Sequence, residues 1–332
     1  MVLRTPAPVD RSPLHLEQVL MPALRAGYIR LSVRACGVCR TDLHIVEGEL
    51  PPKGEAIVPG HQIVGDVVES YDPAHKEGSR VGVSWIGGVD GTCSYCQAGA
   101  ENLCDAPTFT GYDVNGGYAA YADARGDFAF PLGGDLDDLH AAPLLCAGII
   151  GFRALRVAGV LPKERVGLFG FGASAHLALQ VLRHWKCEVY VSTRGAKHRA
   201  FARSLGATWV GDATEIPPHG LHRAITLAPA GEVVIAALSS LRKGGVVAVN
   251  AIHLDRMPQF DYDRLLWGER QIRSVTNMTR ADAQDFLQLA AEIPIQSSVT
   301  TFPLQEANRA LAALKSDAID GAAVLLPPPV SP

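Results

Sequence analysis

The amino-acid sequence predicts an α/β fold in which an antiparallel, barrel-like domain is followed by a doubly wound parallel sheet. The first 140 residues are rich in Gly and Pro, with short β-like runs and few segments of helical periodicity. From about residue 150, apolar runs alternate with helix-like segments, which is typical of βαβ units. The length of 332 residues suits about two domains of roughly 150 residues each.

The first half contains β-like runs separated by turn residues: YIRLSVRAC, IVGDVVES, SRVGVSWI and YAAYADA. Short strands at this spacing predict an antiparallel, barrel-like domain. The second half begins with a strand over RVGLFG, a helix over ASAHLALQVLRHWK, a strand over EVYVST and a helix over AKHRAFARSLG, which Gly206 ends. A strand over RAITLA, a helix over EVVIAALSSLRK and strands over VVAVNAI and QIRSVT continue the alternation. The final segments, SSVTTFPL, EANRALAALKS and GAAVLL, can extend either domain.

Composition limits the class of partner. The net charge of -4 provides no basic field for nucleic acid or for an anionic membrane surface. The first residues lack the apolar core of a signal peptide, and the longest apolar stretches are too short to cross a bilayer. We therefore expect a cytoplasmic protein. Seven cysteines, an odd number without an export signal, favour metal binding over a disulfide framework.

A glycine turn between a predicted strand and a predicted helix indicates a dinucleotide site. Gly170, Gly172, Ala173, Ser174 and Ala175 belong to a G-x-G-x-x-A pattern. The first glycine permits a tight turn, the second lets the backbone approach a pyrophosphate, and the final alanine lets the helix pack close to the strand. The helix N-terminus then presents N–H groups to phosphate.

The end of the next strand bears on the choice between NAD and NADP. An NAD site places Asp or Glu there to bind the ribose 2′-hydroxyl. This chain has Thr193 and Arg194 instead, followed by Lys197, His198 and Arg199. A cationic position suits a 2′-phosphate, so the sequence favours NADP(H), with NAD(H) as the open alternative. These residues could also be only the solvated basic start of a helix.

Three cysteines in a short loop predict a structural zinc site. Cys93, Cys96 and Cys104 include a C-x-x-C pair, whose two thiolates can bind one tetrahedral ion. Zinc also accepts carboxylate oxygen, so Asp90, three residues before Cys93, is the predicted fourth ligand. The alternative is a loop of reduced cysteines without metal.

A second set of metal-ligand residue types is dispersed: Cys39, His61 and Cys146, each in a glycine-rich context. Three protein ligands with one open position are typical of catalytic zinc. Spacing alone does not join these residues, and a single buried Cys or His is more often a packing residue.

Together these motifs resemble the zinc-containing medium-chain dehydrogenase/reductase family, and are most similar to bacterial alcohol dehydrogenases of the A type. The resemblance covers nearly the whole chain. It implies a GroES-like catalytic domain over residues 1–150 and 283–332, and a Rossmann cofactor-binding domain over residues 151–282. It further implies one catalytic zinc, held by Cys39, His61 and Cys146, and one structural zinc. The family also suggests a homodimer or homotetramer.

The resemblance assigns roles to five further residues. Thr41 matches the hydroxyl that hydrogen-bonds the substrate oxygen, and His44 matches the surface end of a proton relay. Asp42 matches the carboxylate that orients the ligating His. Arg40 matches a contact to the cofactor pyrophosphate, and Trp85 matches a substrate-pocket aromatic. From the residues alone, Thr41 could also be a helix N-terminal residue, His44 and Arg40 surface charges, and Trp85 a core residue.

Two positions depart from the family pattern. Asp90 replaces the usual first cysteine of the structural site, and a carboxylate is a harder ligand than a thiolate, so metal affinity is expected to fall. Gln62 stands where the family usually has Glu after the ligating His. Because this removes a negative charge near the metal, we expect a bound alcohol to lose its proton more easily.

The function implied is interconversion of alcohols and aldehydes or ketones by hydride transfer with NAD(P)(H), NADP(H) favoured. The resemblance implies an alkoxide bound at zinc and a proton relay through Thr41 and His44. Three rivals remain: a zinc-free quinone or enoyl reductase of the same fold, a non-catalytic zinc-binding module, and an inactive scaffold. The ligand set disfavours the first, and the glycine turn disfavours the second. The physiological substrate is a small alcohol or aldehyde that the sequence does not specify.

Overall fold

The computed structural model describes residues 1–133, 136–319 and 321–328. The chain forms two compact units. The first comprises Met1–Cys146, Asn277–Glu292 and Gln296–Pro332, and the second comprises Ala147–Thr276 with Ile293–Ile295. The predicted domain limits, residues 1–150, 151–282 and 283–332, stay a prediction, and the last four residues of that range lie outside the described residues.

The N-terminal part of the first unit is built mainly of short strands. In chain order its elements are β1 (Val2–Leu3), β2 (Leu14–His15), β3 (Tyr28–Val38), α1 (Arg40–Glu47), β4 (Gln62–Ser70), β5 (Arg80–Val83), β6 (Ile86–Gly88), α2 (Ser94–Gln97), β7 (Thr108–Phe109), β8 (Tyr121–Arg125), β9 (Ala129–Pro131) and α3 (Asp138–Ala141). The run SRVGVSWI therefore divides between β5 and β6.

The second unit alternates helices and strands. Its elements are α4 (Ala147–Ala158), β10 (Arg165–Phe169), α5 (Ala173–His184), β11 (Glu188–Ser192), α6 (Ala196–Ser204), β12 (Trp209–Gly211), β13 (Leu221–Thr226), α7 (Gly231–Ser239), β14 (Leu241–Val249), α8 (Tyr262–Leu265) and β15 (Gln271–Ser274). The chain then returns to the first unit with α9 (Arg280–Glu292), β16 (Val299–Pro303), α10 (Ala307–Lys315) and β17 (Ala322–Leu326).

The main sheet of the first unit has the order β16-β17-β3-β4-β5-β9, and β8 also pairs with β3. Strand β3 is eleven residues long and pairs antiparallel with β4, β8 and β17. The C-terminal strand β17 thereby joins the sheet formed by the N-terminal part of the chain. This arrangement places the residues after β3 and before β4 at one end of the same strand pair.

The sheet of the second unit has the order β12-β11-β10-β13-β14-β15, and every neighbouring pair is parallel. Strand β10 lies between β11 and β13, so the chain order reverses direction on either side of it. In doubly wound sheets this switch point, at the carboxyl ends of the strands, is where ligands bind. The turn after β10 occupies that position. The predicted fold class is confirmed.

One predicted element boundary is wrong. The sequence predicts a helix through Lys243, but α7 ends at Ser239 and β14 begins at Leu241. Leu241 pairs with Leu221 of the neighbouring strand, and Val246–Val249 pair with Arg223–Thr226. Sheet pairing therefore overrides the local helical pattern.

In the described part of the chain, no single helix is long and apolar enough to cross a membrane. One bent pair of helical segments, Asp138–Leu145 with Ala147–Ala158, is long and apolar enough when the two are taken together, by length and composition alone.

Candidate metal centres and cofactor-binding turn

Three dispersed residues of the first unit converge on one point. Cys39 precedes α1 as its N-cap, His61 immediately precedes β4, and Cys146 lies directly before α4. One ligand atom from each of the three lies within 4.8 Å of the others. The pairing of β3 with β4 brings Gly37 opposite Gln62. Cys39, two residues after Gly37, and His61, immediately before Gln62, therefore lie at the same end of this strand pair.

A buried carboxylate organises two of these ligands. Asp42 is fully buried, and its Oδ1 lies 3.0 Å from Nδ1 of His61. Its Oδ2 accepts a hydrogen bond from the backbone N–H of Cys39 at 2.8 Å and one from the hydroxyl of Tyr118 at 3.2 Å. Because Asp42 engages Nδ1, the other ring nitrogen of His61 is directed away from it. That Nε2 is buried and has no hydrogen-bond partner among the described residues.

The electrostatics of this centre fit a bound cation. Burial lowers the pKa of His61, but the charge and hydrogen bond of Asp42 outweigh burial and raise it to about 10. Hydrogen bonding from Cys146 holds the pKa of the Cys39 thiol well below its ordinary value, and the same contact raises that of Cys146. Two partly exposed thiols and a buried imidazole nitrogen form a donor set that zinc prefers. The three residues therefore fit a zinc ion with one position left open.

Two glycines and a serine permit this geometry. Gly60 has φ +97°, and a Cβ there would overlap the ring of Tyr118, so only glycine fits before His61. Before Cys146, the carbonyl of Leu145 accepts a hydrogen bond from the buried hydroxyl of Ser84. A Cβ at Gly82 would overlap the Leu145 side chain. These contacts fix the peptide that leads into the third ligand.

The predicted relay residues lie on α1. Thr41 is buried, and its hydroxyl lies 3.7 Å from the sulfur of Cys39. His44 is three residues further along the helix, so it shares a face with Thr41. Its Nδ1 lies 2.5 Å from the Glu49 carboxylate, which is largely exposed. Arg40 is exposed at the first position of the same helix, and its role toward the cofactor stays a prediction.

Trp85 lies against the ligand set. Its ring meets the ring of His61 edge-on at a centroid distance of 5.1 Å and stacks on Phe109 at 4.8 Å. Gln62, the departure from the family pattern, is buried at the start of β4 beside Gly37. The structure therefore places the predicted pocket aromatic next to His61, one of the candidate metal ligands, and Trp85 also packs in the apolar core.

The cysteine loop forms a second cluster, in which ligand atoms of Asp90, Cys93, Cys96 and Cys104 lie within 4.8 Å of one another. Oδ1 of Asp90 accepts backbone hydrogen bonds from Cys93 at 2.9 Å and Thr92 at 2.8 Å, which hold the pKa of its carboxyl well below the ordinary value. The sulfur of Cys104 accepts two backbone N–H groups at 3.4 Å. These contacts fix the position of the sulfur, and three sulfur atoms with one carboxylate form a donor set that fits a closed zinc site.

The glycine turn follows β10 as predicted from the sequence. Gly170 has φ +94°, and a Cβ there would lie 3.0 Å from the backbone nitrogen of Ala228. At Gly172 a Cβ would meet no described atom within 4 Å, so the protein itself does not require glycine there. Ala173 and Ser174 open helix α5, and Ala175 is fully buried. The open space at Gly172 fits a position that a ligand approaches.

Beyond β11, the predicted ribose-binding residues lie at the carboxyl edge of the sheet. Thr193 is buried directly after the strand, and Arg194 is exposed. Arg199 contacts the carboxylate of Asp212 at 3.4 Å, so this arginine is already engaged by the protein. Asp212 follows β12, one strand further out, and the sequence interpretation did not consider it. Of the two cations, Arg194 is the better candidate for a 2′-phosphate.

The sequence interpretation missed Tyr118 and Ser84. Both act through a neighbour, Tyr118 through Asp42 and Ser84 through the carbonyl of Leu145. Neither lies in a ligand-like motif. The one available signal was the glycine pair, Gly116 and Gly117, which precedes Tyr118 and packs against Gly60 and Ile63.

Comparison with known proteins gives the same picture over the whole chain. Residues 25–134 match the alcohol dehydrogenase GroES-like domain, and residues 175–292 match the zinc-binding dehydrogenase domain. The chain is 44% identical over 331 residues to a probable alcohol dehydrogenase, AdhA, of Mycobacterium tuberculosis (strain CDC 1551 / Oshkosh), covering 98% of this chain and 96% of the relative. It is 33% identical to an alcohol dehydrogenase of Geobacillus stearothermophilus, covering 95% and 96% of the two chains.

Two solved structures have the same fold as this chain over nearly its full length. The structure of AibC superposes with a TM-score of 0.91 at 26% identity, covering 99% of this chain and 95% of that one. The alcohol dehydrogenase of the hyperthermophilic archaeon Aeropyrum pernix superposes with a TM-score of 0.83 at 26% identity, covering 95% and 97%. With both domain models matched and a relative at 44% identity over nearly its full length, the chain belongs to the zinc-containing medium-chain dehydrogenase/reductase family of alcohol dehydrogenases.

Proposed function

We propose that this chain interconverts a small alcohol and its aldehyde or ketone, with NADP(H) preferred over NAD(H). The observation that carries the proposal is the convergence of Cys39, His61 and Cys146, with a buried Nε2 on His61 that has no hydrogen-bond partner among the described residues. An imidazole nitrogen left unsatisfied in this way costs free energy unless a ligand occupies the site. The named relatives, themselves alcohol dehydrogenases, support this reaction class.

Cys39, His61 and Cys146 would hold the catalytic zinc, and Asp90, Cys93, Cys96 and Cys104 the structural one. When bound, the catalytic zinc supplies a Lewis acid for the substrate oxygen, and the nicotinamide supplies the hydride acceptor or donor. Within the protein, Asp42 fixes the ring of His61 and the backbone of Cys39. This preorganisation keeps the ligand atoms in position while the substrate changes charge.

Thr41 and His44 would carry the proton. The Thr41 hydroxyl is buried beside Cys39 and would hydrogen-bond the substrate oxygen. His44, on the same face of α1, would exchange the proton with solvent, and Glu49 would orient its ring through Nδ1. Trp85 would form the wall of the substrate pocket beside His61.

The NADP(H) preference rests on the second unit. No carboxylate follows β11 at the ribose position, where Thr193 and the exposed Arg194 stand. A guanidinium there would bind a 2′-phosphate through charge-assisted hydrogen bonds. The test is aldehyde-dependent oxidation of NADPH and NADH, measured side by side on aliphatic and aromatic aldehydes. A higher kcat/KM with NADPH supports both parts of the proposal, and a higher kcat/KM with NADH contradicts the cofactor preference alone.

A further inference from the structure

One end of the cysteine loop is held by an arginine from a distant part of the sequence. Glu101, three residues before Cys104, has a side chain that is only 10% exposed. Its Oε2 accepts hydrogen bonds from Nη2 and Nε of Arg280 at 2.7 and 2.9 Å. Its Oε1 accepts the backbone N–H of the same residue at 2.5 Å. Arg280 is the first residue of α9, so the loop is attached to the N-terminus of that helix.

A second arginine holds the other end of the loop. Nη1 of Arg125 donates to the carbonyl of Val89, the residue before Asp90, at 3.1 Å. Gly88 leaves room for this side chain, because a Cβ there would lie 3.2 Å from it. Asp127 joins the two arginines, accepting from Arg125 at 2.8 and 2.9 Å and from Arg280 at 3.2 Å.

Both guanidinium groups also lie over one buried aromatic ring. Their carbon atoms are 4.8 Å (Arg280) and 5.4 Å (Arg125) from the centroid of Phe128. Phe128 belongs to the small apolar cluster that contains Cys104, with Cys93 and Cys96 packed against it. The network of two arginines and two carboxylates is therefore neutral, stacked on a ring and connected to both ends of the loop. We call Arg125, Arg280, Glu101 and Asp127 the loop clamp.

We propose that the loop clamp is a positioning device for the structural zinc, keeping Asp90 and Cys104 at binding distance and so slowing loss of the metal. This inference rests on the proposed zinc site of the loop. Three thiolates and one carboxylate make a harder donor set than four thiolates, so retention depends more strongly on a preorganised loop. Side chains that orient metal ligands typically change metal affinity by about 10–100-fold when replaced.

The test follows zinc release from the purified, zinc-loaded chain to an excess of chromophoric chelator. A Cys93→Ala variant identifies the release phase that belongs to the loop. We expect Arg280→Gln, Arg125→Gln and Glu101→Gln to accelerate that phase by about 10-fold or more and to leave the other phase unchanged. The matched control is Arg309→Gln, which breaks the ion pair between the exposed Arg309 of α10 and Glu306, the residue before that helix.

Two results would overturn the inference. A loop-phase rate within twofold of wild type in all three variants would show that the clamp does not retain the metal. Equal acceleration of both phases would show a general loss of stability instead. If Arg280→Gln does not fold, Glu101→Gln removes only the loop's carboxylate charge and decides the question. A wild-type chain whose zinc release does not change on Cys93→Ala contradicts the loop site itself, while aldehyde reduction remains a separate test of the proposed function.

Discussion

At the scale of single residues, one buried carboxylate, that of Asp42, holds two of the three candidate metal ligands in place. It accepts hydrogen bonds from the backbone of Cys39, from the ring of His61 and from the hydroxyl of Tyr118, and it is fully buried. A buried charge is stable only when its hydrogen bonds are made. Each of the three donors therefore satisfies part of the hydrogen-bonding capacity of this buried carboxylate.

Removing one of these donors should cost stability. We expect Tyr118→Phe to lower the free energy of unfolding by about 1.5–3 kcal/mol, the usual range for a hydrogen bond to a charged group. The matched control is Tyr190→Phe, which breaks a tyrosine–carboxylate bond of 2.9 Å to the exposed Glu188. That loss should be about 1 kcal/mol or less. Urea unfolding of the metal-loaded proteins gives both values, and equal losses would contradict the role assigned to Tyr118.

A second prediction concerns the cofactor. Arg194→Ala should raise the KM for NADPH by about 10-fold or more, because a charge-assisted bond to the 2′-phosphate is lost, and should leave the KM for NADH unchanged. Arg203→Ala, on the helix α6 that follows Arg194, is the control, since the Arg203 side chain donates a hydrogen bond to the carbonyl of Val210. Steady-state kinetics with both cofactors provide the comparison. Parallel changes for NADPH and NADH would refute a contact with the 2′-phosphate.

Residue types, local motifs and family resemblance predict the candidate ligands, but they do not predict the contacts that support those ligands. The three candidate zinc ligands are predicted only through family resemblance, because positions 39, 61 and 146 show no spacing that joins them. The sheet register then explains why two of them meet. The role of Tyr118 could not be predicted in the same way. A tyrosine in an apolar run is interpreted as a core residue unless the hydrogen-bond partner of its hydroxyl is known.

At the scale of elements, the two glycines of the turn from β10 to α5 are predicted to have different roles, one in folding and the other in cofactor binding. Gly170 requires a positive φ and lies close to Ala228, whereas Gly172 has free space around it. Gly170→Ala should therefore destabilise the protein by about 1–2 kcal/mol or more. Gly172→Ala should leave stability unchanged and weaken NADPH binding, since the added methyl occupies the approach of the pyrophosphate.

Thermal unfolding and fluorescence titration with NADPH measure these two effects independently. The prediction is wrong if Gly172→Ala binds NADPH with the wild-type Kd, because the turn would then not contact the phosphates.

Local periodicity was sufficient to predict the alternation of β10, α5, β11 and α6. It was insufficient at the end of α7, where β-sheet pairing of Leu241 with Leu221 ends the helix four residues earlier than the pattern suggests.

At the scale of the whole molecule, a buried histidine in the second unit should make stability depend on pH. His176 is fully buried in α5, and burial lowers its pKa to about 4. The unfolded chain binds a proton near pH 6.5, where the folded chain does not. The contribution of this group is thus present above pH 6.5 and is lost as the pH falls toward 4.

Between pH 7 and pH 5 this loss amounts to about 2 kcal/mol. We expect His176→Leu to remove that share of the pH dependence, so that the difference in unfolding free energy between wild type and variant changes by this amount. Denaturant unfolding at the two pH values tests it. A difference that is the same at both pH values would mean that the pKa of His176 is the same in the folded and the unfolded chain, which would contradict this prediction.

The central claim is that hydride transfer depends on the metal centre formed by Cys39, His61 and Cys146. The most direct measurement is kcat for aldehyde-dependent NADPH oxidation by wild type and Cys146→Ala, with NADPH affinity measured by fluorescence in both. The account predicts that kcat falls by about 10³-fold or more, because the Lewis acid contributes several kcal/mol, and that the Kd for NADPH is unchanged. A variant that retains kcat within tenfold of wild type would contradict the account.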